Sequence, residues 1–337
     1  MKAYKITHFR VGNQEPWAGW RIAGMTEWIP DEAKEGYFKL QSSNSTSSTV
    51  NSFFESAPII WELICEDKYV YYSKLTYGIR DQGIPGRQSM RADGIVVSSV
   101  ENPDLYKCIG GLIELSKYNF ENRLQIEEIY PKMIQNNEST INLNSSYIKT
   151  NLDSVEIEDC HINYQQLINK YFSDETVLVK LLKCIYWVIT DRSASTLNLI
   201  CDNADEDKKN IIFIIMSLLP YSLRKHLSFR TMYIKDGRSV KVVFSDGKND
   251  VNKFFNVLTG ENNIIVENKL DNRWDRYSFI TYLIKNKEKY NYFNLLDEVM
   301  RRLWNVDSID LNFIKVAHEI VMESSVDKKM FFRIWNC

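Results

Sequence analysis

Histidine is scarce in this 337-residue sequence, with only His8, His161, His226 and His318. A hydrolytic triad or a histidine-rich metal site therefore has little to draw on. His161 follows Cys160, but chain neighbours rarely form a nucleophile–base pair, and His318-Glu319 has no second histidine at HExxH spacing. The six cysteines (Cys65, Cys108, Cys160, Cys184, Cys201 and Cys337) include no CxxC pair. Zinc knuckles and disulfide frameworks are not expected, and reduced thiols in a cytoplasmic protein are. Neither a catalytic residue nor a metal ligand is assigned, and no cofactor is expected.

Glycine-rich phosphate cradles are missing too. The one glycine-dense loop, Gly83-Ile84-Pro85-Gly86-Arg87-Gln88, has proline inside it and no following GK[ST]. Hydrolysis of nucleoside triphosphates is not expected of this chain. The longest apolar run, 211–219, is about half a bilayer span. The opening Met1-Lys2-Ala3-Tyr4-Lys5 lacks the apolar core of a signal peptide, so no membrane association is expected. Charge of one sign is also absent: 42 Lys and Arg against 44 Asp and Glu give a net charge of −2. A chain that tracks nucleic acid carries a basic stripe, so nucleic-acid binding is disfavoured.

Aromatics are plentiful, with 8 Trp, 19 Tyr and 16 Phe. Bulky core filling accounts for most of them, and an aromatic-anchored interface is the sharper alternative.

Along the chain, β-prone runs at 2–11, 20–28, 59–65, 69–77 and 95–99 predict a strand-rich first hundred residues. Glu66-Asp67-Lys68 is the turn of a hairpin. The Ser-, Thr- and Asn-rich stretch 42–49 predicts a loop, and Asn102-Pro103-Asp104 opens a helix towards Tyr118. In 176–189 the polar positions Thr176, Lys180 and Lys183 leave one narrow wet stripe on an apolar helix, which implies burial. A strand at 196–201 and a helix from Asp205 to Pro220 follow. Runs 227–235 and 238–245 flank Asp236-Gly237 and predict a hairpin, with Val240, Val242 and Phe244 on one dry face. After Gly260 the pattern is mainly helical. The fold class expected is α+β: a largely antiparallel β domain with a helix over 1–150, an α+β domain over 151–260 and a helical region over 261–337.

Two stretches resemble a known family. Tyr77-Gly78-Ile79-Arg80-Asp81, Gly86-Arg87-Gln88-Ser89 and the Ile95-Val96-Val97 run are similar to the N-terminal type 2 domain of the bacterial GTPase-associated protein 1 family. Leu218-Leu219-Pro220-Tyr221-Ser222-Leu223-Arg224 and Leu227-Ser228-Phe229-Arg230-Thr231 resemble its middle domain. The sequence departs from that pattern at Asp93, in place of a histidine, and at Arg230, in place of a small residue. The resemblance implies a component of bacterial conflict or antiviral defence systems, an adaptor associated with a GTPase in trans. The contact residues expected are Tyr77, Asp81, Arg87, Gln88 and Arg230, with Arg87 suited to bidentate pairing with a carboxylate or phosphate.

Two rival classes stand beside it. The ExK of Glu267-Asn268-Lys269 after a short strand, with Asp246 or Asp250 upstream, echoes metal-dependent nucleases, although Glu66-Asp67-Lys68 repeats the pattern. A small-ligand sensor built on the N-terminal sheet is the other.

Overall fold

The computed structural model of the chain describes residues 1–11, 19–26, 28–45, 59–80, 88–102, 105–106, 151–152, 155–156, 164–172, 174–190, 196–201, 205–233, 240–245, 253–264, 280, 284, 295–300 and 311–326. The first elements are β1 (Lys2–Val11), β2 (Gly19–Thr26), α1 (Asp31–Ser45), β3 (Ile59–Cys65), β4 (Tyr69–Arg80), β5 (Gln88–Ser98), β6 (Asn151–Leu152) and β7 (Val155–Glu156). There follow α2 (Tyr164–Tyr171), α3 (Glu175–Thr190), β8 (Leu197–Ile200), α4 (Asp205–Ser217), α5 (Tyr221–Arg224), β9 (Phe229–Arg230), β10 (Val242–Ser245), β11 (Phe254–Asn256) and α6 (Leu311–Val326). Helices and strands of both kinds make this an α+β protein.

The chain forms two compact units. One is Met1–His161 with Ser228–Arg238, the other Ile162–Leu227 with Ser239–Cys337. This partition differs from breaks at 150 and 260, because a short segment late in the chain returns to the first unit.

In the first unit the strands run in the order β9-β3-β4-β5-β1-β2-β6, with β7 paired to β1. All pairs are antiparallel except β2 with β6. Alternation puts Tyr4, Ile6, Ile60, Tyr71, Leu75, Ala92 and Val96 on one face, where α1 covers them with Ala33 and Tyr37. Tyr37 lies against Gly94: a Cβ there would overlap its hydroxyl and sit 2.6 Å from ring carbon Cζ. Glycine in mid-strand marks this close approach.

Helix α1 departs from the expected loop over 42–49, since 42–45 are helical. Pro30 precedes it, the Lys34 N–H donates to the Pro30 carbonyl at 3.1 Å, and Asp31 and Glu32 sit at the positive end of the dipole. Residues 107–150, and with them the helix expected from Pro103, lie outside the described residues apart from a turn at 105–106.

In the second unit β8 lies between β10 and β11 and is parallel to both. A parallel strand cannot return through a tight turn, and α4 provides the crossover from β8 towards β10. This corrects the single dry face expected for 238–245. Val242, Val243, Phe244 and Ser245 are all buried, because strands of a parallel sheet are covered on both sides. The strands are also shorter than the expected hairpin arms, and Asp236-Gly237 lies outside the described residues. The buried helix α3 is as expected, with Leu178, Leu181, Leu182, Ile185 and Val188 inside.

Candidate functional site

Helix α1 presents Glu32, Glu35, Gly36 and Lys39 at spacings of three and four, hence along one stripe. That stripe faces the 66–68 turn between β3 and β4. The turn is held by its backbone: the Glu66 N–H donates to the Tyr69 carbonyl at 2.9 Å, and the Ser99 N–H to the Lys68 carbonyl at 2.8 Å. Between helix and turn opens a groove of about 740 Å³ lined by Glu32, Glu35, Lys39, Glu66, Asp67, Lys68 and tyrosines 69 and 71. Lys68 Nζ spans it, donating to Glu32 Oε1 at 2.9 Å and Oε2 at 3.1 Å. Burial, then the neighbouring Asp67, pushes the Glu66 carboxyl up, with Lys39 pulling the other way. Tyr71 forms the floor and is 1% exposed. A Cβ on Gly36 would overlap its hydroxyl, so glycine lets the phenol reach the helix backbone.

Beneath α1, further along the sheet, is a buried polar cluster. Arg230 Nε donates to Glu62 Oε2 at 2.7 Å, and Gln41 Nε2 donates to Ser73 Oγ at 3.3 Å and to Glu62 Oε1 at 3.5 Å. The opposite sheet face carries a second cluster. Asp93 Oδ1 accepts from Thr7 Oγ1 and from Arg91 Nε, both at 2.9 Å. The register fixes the two faces: Glu62 pairs with Ser73, while Asp93 pairs with the next residue, Lys74. Burial pushes the Asp93 carboxyl up, opposed by Arg91, Thr7 and Lys74. Asp93 and Arg230 thus each hold one half of a buried ion pair.

The 218–224 stretch has a structural explanation in the second unit. Pro220 ends α4 and supplies no side-chain cap to α5. Asp297, in a helical stretch at 295–300, provides one: its Oδ2 accepts from the Tyr221 N–H at 2.7 Å, and its Oδ1 from Ser222 Oγ at 2.7 Å and the Ser222 N–H at 3.0 Å. Arg224 turns back on α4, its Nε donating to the Leu219 carbonyl at 3.1 Å and its Nη2 to that of Ser217 at 3.4 Å. The order leucine, proline, serine, arginine encodes a two-helix corner.

Of the contact residues expected from sequence, Tyr77 and Gln88 lie on β4 and β5. Gln88 is opposite Arg80, and Tyr77 falls where the β4–β5 register shifts between Thr76 and Ile79. Asp81 and Arg87 lie outside the described residues, as do Asp246, Asp250, Glu267 and Lys269. Arg230 is withdrawn from the surface, 1% exposed, and its donors face Glu62 rather than a partner.

Sequence reasoning passed over Trp28. It is 80% exposed and has a φ of 67°. That left-handed conformation is an outlier for a bulky side chain. The Ile29 N–H donates to the Thr26 carbonyl at 3.3 Å, and Ile29 is buried, so the turn plugs Ile29 into the core and leaves the indole outside. Nothing in a one-dimensional pattern signals the sign of φ.

Burial pushes the Cys65 and Cys184 thiols up to about 12, which makes them poor nucleophiles. Among the described residues no group of three or more His, Cys, Asp or Glu is placed to hold a metal ion, and no helix is long and apolar enough to cross a membrane. No family model and no curated protein matches the chain.

Proposed function

We propose that this chain is a non-enzymatic interaction module, an adaptor that docks on a GTPase in a bacterial conflict or defence system. The observation that carries the docking role is Trp28. An indole held 80% exposed at an unfavourable backbone angle is costly to the free protein. Tryptophan is also the side chain most often found at the energetic centre of protein interfaces. The GTPase and the defence setting rest on the resemblance of the 77–99 and 218–231 stretches to the GTPase-associated family. The groove beside α1 adds charged and aromatic contact surface on the same unit.

The test is affinity purification of the tagged full chain from its native host, with GTP or GDP added, followed by mass spectrometry. Recovery of one GTPase in a nucleotide-dependent manner supports the reading. Recovery of background proteins alone overturns it.

A further inference from the structure

We draw no further inference here: the strongest candidate, the buried cluster of Thr7, Arg91 and Asp93 on the sheet face opposite α1, beside the stacked rings of Trp61 and Tyr72, spends its carboxylate on its own neighbours, and nothing among the described residues shows what covers that face.

Discussion

Arg230 Nε lies 2.7 Å from Glu62 Oε2, in an ion pair whose two side chains are each 1% exposed. The residues are 168 positions apart in the chain, so the pair ties β9 to β3 in the interior of the first unit. Removing one partner strands the other charge away from water. Arg230→Ala is expected to cost about 3–5 kcal/mol, whereas Arg230→Met with Glu62→Leu recovers most of that loss. Urea unfolding of the three proteins checks this; a single variant as stable as wild type contradicts it.

The packing of Tyr37 on Gly94 leaves no room for a methyl group. Gly94→Ala is expected to destabilise by about 1–3 kcal/mol through overpacking. Gly94→Ala combined with Tyr37→Ala is expected to cost less than the sum of the single changes, because the clash disappears with the ring. Additive costs in thermal or urea unfolding would show that the contact is slack.

His8 packs edge-on against Phe38, with ring centroids 5.4 Å apart, and burial pushes its imidazole down to about 3. The native state keeps it neutral, while the unfolded chain binds a proton near its ordinary value of about 6.5. Its contribution is therefore complete above about pH 6.5 and is lost as pH falls from there towards 3, at up to about 1.4 kcal/mol per pH unit. Between about pH 6.5 and 5, where carboxylates still carry charge, His8→Phe is expected to flatten the stability profile. An unchanged slope would mean that the imidazole is protonated in the fold.

Asp297 accepts three hydrogen bonds from Tyr221 and Ser222 and caps α5 from a distant part of the chain. Asp297→Ala is expected to cost about 1–2 kcal/mol, the upper range for a lost cap, since three half-buried donors lose one acceptor. Asp297→Asn keeps an acceptor and costs less. Hydrogen exchange at the Tyr221 and Ser222 amides reads it directly: both accelerate in the Ala variant, and unchanged rates would deny the cap.

Much of the first unit is legible in the sequence. Strands β1 and β3 begin and end where β-prone runs begin and end, and the 66–68 turn is where it was expected. Helix α1 is hidden by its setting, since its Ser- and Asn-rich tail has the composition of a loop. Its signal was nonetheless present in Pro30-Asp31-Glu32 and in Ile29, Ala33, Tyr37 and Gln41 at steps of four. The Arg230–Glu62 pair is not legible, because its two halves are far apart in the chain. Arg91 and Asp93 stand at the same-face spacing of two, but their burial and the Thr7 hydroxyl that joins them come from distant strands. A charged residue in a strand reads as solvent-facing until its partner is known. The groove is equally hidden: Glu66-Asp67-Lys68 is an ordinary turn until α1 is seen opposite it.

The most direct test of the docking account is the substitution Trp28→Gly in the tagged full chain. Glycine accepts the left-handed backbone, so stability is expected to stay within about 1 kcal/mol of wild type or to rise. The account predicts that this well-folded variant loses nucleotide-dependent recovery of the GTPase from the native host. Undiminished recovery by a folded Trp28→Gly protein would contradict it, leaving the exposed indole without a role in binding.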